Sequence, residues 1–399
     1  MKKNIIVVLL LLTCVFAWAQ TSNVDESSYY KVYSDVSLNH ARETAQKLDA
    51  YFDFYSSYFH FDPTNLEGKL TLRLFNDKED FDSYLTGIIS ETRDSFVFLQ
   101  YSNAEKNELV GFMDTDKDKF NTYLAHYSMI QYLKSFVKNP PLWMQMGFAV
   151  YFEKCYYDPY EDTIVYIENL DWLNTLKGLL NEIDPEDYSR QVYVMTELLT
   201  MTPDSFSRNM EASYAEAWGL VYFLMNTSSK EYSRILWDSI SLLNYESSRK
   251  ENELQVINGA FGWATKNRLI GSFSNFILGT KTFPALVQDG MSQYNMQDYT
   301  ASETSFMKAV ELRDTHPLPY YYLGLINYTN GNYSAAQSYY DTSLAVGGEE
   351  SFTYYAMGVN AYAAGQFSDA RIYLQYSFQS DPSGYGEKAF ELLTKIEEN

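Results

Sequence analysis

Residues 323–336 read Leu-Gly-Leu-Ile-Asn-Tyr-Thr-Asn-Gly-Asn-Tyr-Ser-Ala-Ala, and their pattern recurs on both sides at an interval of 34 residues. The interval joins Gly290, Gly324 and Gly358. It also links Tyr294, Tyr328 and Tyr362; Tyr299, Tyr333 and Phe367; Ser302, Ala336 and Ala370; and Phe306, Tyr340 and Leu374. A period of this length, with small residues where two helices touch and large ones filling the gap, predicts stacked pairs of helices.

This pattern resembles the tetratricopeptide repeat (TPR). The residues that carry the resemblance are Leu323-Gly324, Gly331-Asn332-Tyr333 and Ala336 in one unit, and Met357-Gly358, Gly365-Gln366-Phe367, Ala370 and Asp381-Pro382 in the next. The first unit is weaker, because Gln297 stands at the turn position where the other two units have glycine. The resemblance implies three TPR repeats over residues 281–382 and a capping helix over 383–399. The alternative is that these helices only buttress the preceding domain.

TPR domains bind peptides or partner helices in a concave groove, so the resemblance implies a protein or peptide partner. We expect this peptide-binding groove to be lined by Tyr294, Tyr321, Leu325, Tyr328, Tyr355, Val359 and Tyr362, with Val287 and Met291 at the equivalent positions of the first repeat. TPR domains that clamp a C-terminal carboxylate carry Lys, Arg and Asn there. Because the residues here are apolar or aromatic, an apolar or aromatic peptide face is the expected ligand.

The N-terminus has the pattern of a signal peptide. Lys2 and Lys3 precede an apolar stretch over residues 5–18, which ends in Ala17-Trp18-Ala19. The stretch is too short to span a membrane and ends in a small-x-small cleavage pattern, which predicts a signal peptide at residues 1–19 and a periplasmic or secreted protein with no transmembrane span. The alternative is a lipoprotein attached through Cys14. Cleavage would leave Cys155 as the single cysteine, so no intrachain disulfide is expected.

Composition excludes several classes of function. The formal net charge is -22, so no excess of Lys and Arg is available to neutralise phosphates, and a nucleic-acid partner is not expected. Two cysteines cannot supply a zinc-ribbon or an iron–sulfur framework. Only four histidines occur, which limits the catalytic sites that the chain could build.

The first domain, residues 20–280, is predicted to be α+β. Alternating and three-to-four spacings predict strands at 29–33, 70–74, 96–101 and 109–113, and helices at 37–59 and 77–85. From Lys117 the pattern changes to long helices up to about residue 280. The expected fold class is therefore a small sheet plus helices, followed by an all-α TPR solenoid.

Three blocks of this domain resemble the gluzincin, or peptidase MA-like, family. They are Tyr123 to Ile130, Pro140 to Glu153, which is similar to the family's P-P-L-W-L-N-E-G-L-A-E-Y-F-E helix, and Tyr214 to Leu224, which is similar to its Y-A-E-A-W-A-L-V-x-F-L helix. The resemblance implies a zincin-like fold.

The residues that would hold zinc in that family are substituted here. A zincin binds zinc through two histidines one helical turn apart, and a glutamate beside the first acts as general base. His126 matches the first histidine, but Tyr127 and Ile130 stand where the glutamate and the second histidine belong. Met146 replaces the third ligand, and Glu153 lies seven residues further on, about 10 Å along a helix, so we expect no replacement ligand there. The resemblance therefore implies an inactive homologue with no catalytic residue, metal or cofactor, in which His126 is a partly buried packing residue.

Together these patterns predict an exported, non-catalytic protein with a pseudo-metallopeptidase domain and a TPR module for protein–protein interaction or scaffolding. One alternative is an active metal-dependent peptidase with an atypical site around His126 and Glu153. A third reading is a structural assembly factor for envelope complexes.

Overall fold

The computed structural model describes residues 23–183, 187–262 and 264–397. The predicted signal peptide and Cys14 lie outside these ranges. The chain divides into two compact units, with the division between Leu278 and Gly279. Among the helices of the described ranges, none is long and apolar enough to cross a membrane.

The first unit contains short strands and many helices. Its strands are β1 (Asn23–Glu26), β2 (Tyr30–Ser34), β3 (Leu70–Phe75), β4 (Val97–Leu99), β5 (Glu108–Phe112), β6 (Tyr156–Asp158) and β7 (Thr163–Val165). Its helices are α1 (Leu38–Phe59), α2 (Lys78–Ile89), α3 (Lys117–Phe136), α4 (Leu142–Phe152), α5 (Leu173–Asn181), α6 (Tyr188–Leu199), α7 (Pro203–Arg208), α8 (Met210–Asn226), α9 (Lys230–Ser241), α10 (Arg249–Gly259) and α11 (Lys266–Gly279).

Within the described ranges, five strands form one sheet in the order β1-β2-β3-β5-β4. Strands β2, β3 and β5 are parallel, whereas the edge strands β1 and β4 are antiparallel to their neighbours. The predicted small sheet followed by helices is confirmed. Strand β1 and the β6–β7 hairpin were not predicted, because β1 has only one apolar residue and three-residue strands are too short to show a period.

Helix α1 is hydrogen-bonded to α3, which carries His126, and to the segment just after α4, the helix that carries Met146. The buried Tyr55 hydroxyl donates to the Ala125 carbonyl oxygen of α3 at 2.9 Å. The buried Tyr51 hydroxyl donates to the Cys155 carbonyl oxygen, just beyond α4, at 2.8 Å. These bonds satisfy both hydroxyls inside the core and fix the backbone next to His126.

Helices α4 and α8, which contain two of the family-like blocks, approach each other closely at Gly147. A Cβ atom added to Gly147 would lie 2.6 Å from Val221 Cγ2 and closer still to the Ala217 carbonyl oxygen. Glycine is required here because the contact is between a helix backbone and its neighbour. The apolar character of both blocks follows from the same packing, since Trp143 and Trp218 are fully buried.

The second unit is a run of paired helices, which confirms the predicted all-α repeat architecture. Over residues 279–397 the helices are α12 (Phe283–Asn295), α13 (Tyr299–Leu312), α14 (Pro317–Thr329), α15 (Tyr333–Ala345), α16 (Glu350–Ala363), α17 (Phe367–Ser380) and α18 (Tyr385–Glu397). In this part of the chain α12 to α17 form three pairs, and the first helices of successive pairs contact one another.

The repeated glycines allow the two helices of each pair to touch. A Cβ atom at Gly290 would lie 2.8 Å from the Phe306 ring, and one at Gly358 would lie 2.6 Å from Leu374 Cγ. At Gly324 the equivalent atom would meet the Tyr340 ring. The glycine column and the large-residue column therefore face each other, as the 34-residue interval predicts.

Candidate functional site

His126 and Glu153 form a buried pair in the first unit. His126 lies on α3 with 7% of its surface exposed, and its Nδ1 lies 2.9 Å from Glu153 Oε2. An ionised carboxylate only accepts hydrogen bonds, so in this bond the imidazole tautomer with hydrogen on Nδ1 is the donor. Glu153 is the C-terminal cap of α4. Although it lies seven residues beyond Met146 along the chain, its carboxylate contacts His126.

Asn169 donates a hydrogen bond to the second oxygen of the Glu153 carboxylate. Its Nδ2 donates to Glu153 Oε1 at 3.0 Å and to the Val150 carbonyl oxygen at 2.8 Å. Both oxygens of Glu153 therefore have a protein donor. The carboxylate orients the imidazole and is not available as a ligand without loss of these bonds.

Tyr127, Ile130 and Met146, which stand at the predicted motif positions, contribute to packing. Ile130 is 5% exposed and Met146 packs against the main core. The Tyr127 hydroxyl lies 2.7 Å from Ser95 Oγ. In the described ranges no group of three or more His, Cys, Asp or Glu could hold a metal ion. A zinc ion does not fit this donor set, because among His126, Tyr127, Ile130 and Met146 only His126 carries a nitrogen ligand, and the neighbouring Glu153 carboxylate is already bonded on both oxygens.

Tyr214 is a further member of this group that sequence reasoning did not assign to the site. Its ring on α8 lies 6.1 Å from the His126 ring, stacks on Trp172 at 5.6 Å and meets Phe206 edge-on at 4.7 Å. Burial raises the pKa of Tyr214, and Tyr127 and Glu153 raise it further, so its hydroxyl stays protonated. The sequence did contain a signal for Tyr214, because it is the first residue of the Tyr-Ala-Glu-Ala-Trp block. The arrangement can orient one imidazole within an aromatic wall.

The predicted groove positions of the second unit share one level of exposure. All of them are partly buried: Val287, Met291, Tyr294, Tyr321, Leu325, Tyr328, Tyr355, Val359 and Tyr362. All of them except Val359 pack against buried clusters that the repeat helices form, and part of every side chain reaches solvent. Their role in binding stays a prediction.

An aromatic row crosses the first helices of the repeats. It consists of three ring contacts between the helices α12, α14, α16 and α18, where α18 follows the third pair: Tyr294 with Tyr322 at 5.4 Å, Tyr321 with Phe352 at 4.6 Å, and Tyr355 with Tyr385 at 5.6 Å. Tyr322, Phe352 and Tyr385 do not recur at the 34-residue interval, so the periodicity could not identify them. We call these six residues the aromatic row.

Three of the predicted groove tyrosines have a structural role as well. Each first helix has a tyrosine one residue before its end: Tyr294, Tyr328 and Tyr362. The ring of each contacts the aromatic residue that starts the second helix of the same pair. The centroid distances are 5.5 Å to Tyr299, 6.1 Å to Tyr333 and 5.6 Å to Phe367. These rings brace the turn of each repeat, so Tyr321 and Tyr355 are the better probes of binding.

Carboxylates lie close to the aromatic row. Burial raises the pKa of Tyr355, and the Glu391 carboxylate raises it further. Burial likewise raises the pKa of Tyr321, with a smaller contribution from Glu349. The Lys388 ammonium lies 4.9 Å from the centroid of the Tyr385 ring, which is a cation–π distance. Rings and carboxylates together favour cations over anions at this surface.

One protein-family profile matches residues 124–242, and its description is "Protein of unknown function (DUF1570)". No curated protein sequence matches the chain. Among solved structures, the chain is similar to the first TPR of Spaghetti (RPAP3) bound to HSP90 peptide SRMEEVD, with 15% identity, 29% of this chain and 90% of that chain covered, and a TM-score of 0.28. It is also similar to MamA 41-end from Desulfovibrio magneticus RS-1, with 19% identity, 43% and 96% covered, and a TM-score of 0.25.

Proposed function

We propose that this chain is an exported, non-catalytic protein whose repeats bind a peptide segment of a partner protein. The observation that carries the proposal is the aromatic row, which joins α12, α14, α16 and α18 and remains partly exposed. Tyrosine supplies large contact area at low entropic cost, so such a row is suited to an extended or helical peptide.

The chemistry of the row indicates which peptides would bind. Groove positions carry no Lys, Arg or Asn, so nothing there would clamp a C-terminal carboxylate. Glu349 and Glu391 add negative charge beside the rings. A peptide with aromatic or apolar side chains and at least one basic residue fits this surface best.

The first domain is proposed to act as a pseudo-metallopeptidase scaffold. Support comes from Tyr127, Ile130 and Met146, which fill the motif positions with packing side chains, and from Glu153, whose two oxygens are both bonded. Export is supported by residues 1–19, which have the pattern of a signal peptide.

Selection from a random peptide library tests the binding proposal. We expect the chain from residue 20 onwards, when immobilised, to enrich peptides rich in aromatic and basic residues. Failure to enrich any sequence, or enrichment of acidic C-terminal sequences, would contradict it.

An active hydrolase is the second candidate, because His126 and Glu153 are hydrogen-bonded at 2.9 Å. It predicts stoichiometric zinc by elemental analysis, chelator-sensitive hydrolysis of casein, and loss of that activity in His126→Ala. The non-catalytic proposal predicts neither bound zinc nor chelator-sensitive hydrolysis in the unaltered chain. Either measurement separates the two.

A further inference from the structure

A second site lies in the first unit, in a cavity lined by residues of α5, α6, α8 and α11. The cavity has a volume of about 320 Å³, which is within the range of small-molecule pockets. Its walls are mainly aliphatic, and they include Leu176, Leu180, Leu198, Ile270 and Leu278. None of the residues of the His126 group lines it.

Glu216 is the one ionisable side chain among the described residues that line the cavity. Its carboxylate has no hydrogen bond or ion pair with any residue that the structure describes. Burial, with a smaller contribution from the nearby Glu197, raises the pKa of Glu216 to about 7. A carboxylate in such a place is costly to the fold when it is ionised and has no counter-ion.

We propose that this cavity binds a small organic ammonium ion with an apolar tail. The ammonium group would pair with the Glu216 carboxylate, and the tail would lie among the aliphatic walls. An inorganic cation would leave those walls in contact with water, and an organic anion would be repelled by Glu216 and Glu197. At the ~30 Å³ that one water occupies in the liquid, the volume admits about ten non-hydrogen atoms.

Two glycines provide matched variants. Gly271 lines the cavity, and a Cβ atom added there would have no other atom within 4 Å, so Gly271→Leu would place a side chain in the empty space. Gly178 on α5 has the same freedom, but it is exposed and does not line the cavity. Gly178→Leu therefore introduces the same side chain without occluding the site.

Titration calorimetry on the chain from residue 20 onwards tests this proposal with n-octylammonium, n-octanoate and n-octanol at pH 8. We expect n-octylammonium to bind the unaltered chain and Gly178→Leu equally. Its affinity should fall at least tenfold in Glu216→Gln and in Gly271→Leu, and n-octanoate should not bind. Circular dichroism verifies that each variant is folded.

Three results would overturn it: no binding of n-octylammonium, affinities for the three probes that are equal and insensitive to Glu216→Gln, or unchanged affinity in Gly271→Leu. The first shows that no amine site exists, the second that the cavity only accepts apolar chains, and the third that the ligand binds elsewhere. The inference does not depend on peptide binding by the repeats.

Discussion

Gln297 adopts a left-handed backbone with φ of 62° at the turn of the first repeat, where Gly331 and Gly365 have φ of 76° and 75°. A side chain in this region costs about 1–2 kcal/mol, and glycine's greater freedom in the unfolded chain offsets about 0.5–1 kcal/mol of that. We therefore expect Gln297→Gly to raise the free energy of unfolding by about 0.5–1 kcal/mol, as measured by urea denaturation. Gly331→Gln is the reverse control and should lower it. A lower stability for Gln297→Gly would contradict the assigned turn.

The carboxyl of Glu216 makes the stability of the first unit depend on pH. Its pKa is raised from the ordinary 4.5 to about 7 on folding, so the folded state holds its proton more tightly than the unfolded state. The stabilisation of the folded state by this tighter proton binding is complete below about pH 4.5, and it is lost as the pH rises to about 7. At about 1.4 kcal/mol for each pKa unit, Glu216→Gln should be more stable than the unaltered chain by about 3 kcal/mol at pH 8 and nearly equal to it at pH 4.5.

Urea unfolding of both proteins at pH 4.5, 6 and 8 measures this difference. Glu197→Gln is the control, and because Glu197 is the smaller cause of the shift it should reproduce only a minor part of the effect. A difference that is constant over this range would show that Glu216 titrates normally.

The residue-level predictions from sequence were partial for a physical reason. Comparison with the motif could assign His126, Tyr127, Ile130 and Met146 to one candidate site, because a motif is defined by positions along the chain. Asn169 and Tyr214 meet His126 and Glu153 only through the packing of distant segments, which spacing along the chain does not contain.

At the scale of elements, the close approach of α4 and α8 depends on Gly147. A methyl group there would press against the Ala217 carbonyl oxygen and Val221. Overpacking of this kind costs about 1–3 kcal/mol, so we expect Gly147→Ala to lower the free energy of unfolding by that amount. Gly178→Ala has open space around its Cβ and should be neutral or slightly stabilising. If thermal unfolding shows Gly147→Ala to be as stable as Gly178→Ala, the helix contact described here is wrong.

Helices and strands whose apolar residues recur at a clear interval were predictable from the sequence, whereas elements without such an interval were not. The helices around His126 and the repeat helices carry long apolar stripes, so their existence followed from spacing. The edge strand β1 and the β6–β7 hairpin are too short or too polar to show any period. Their pairing is decided by neighbouring segments, which a local pattern cannot report.

At the scale of the molecule, the chain combines two units with different organisation. The repeats were predictable because their contacts join residues of one repeat or of adjacent repeats, so the same packing rule recurs at every interval. The aromatic row was only half predictable. Tyr321 and Tyr355 recur at the interval, whereas Phe352 and Tyr385 join the row by three-dimensional proximity alone.

The affinity of a library-selected aromatic, basic peptide for variants of the chain tests the central claim that the aromatic row binds a partner. We expect the unaltered chain, the double variant Tyr321→Phe, Tyr355→Phe and the control double variant Tyr376→Ala, Phe378→Ala to bind with similar Kd. The control removes two exposed aromatic residues of α17, outside the row.

Tyr321→Ala, Tyr355→Ala should weaken binding at least tenfold while circular dichroism shows the helices intact, because truncation of buried aromatic anchors at an interface typically costs about 2 kcal/mol or more. Equal Kd for the row variant and the α17 variant would contradict the claim.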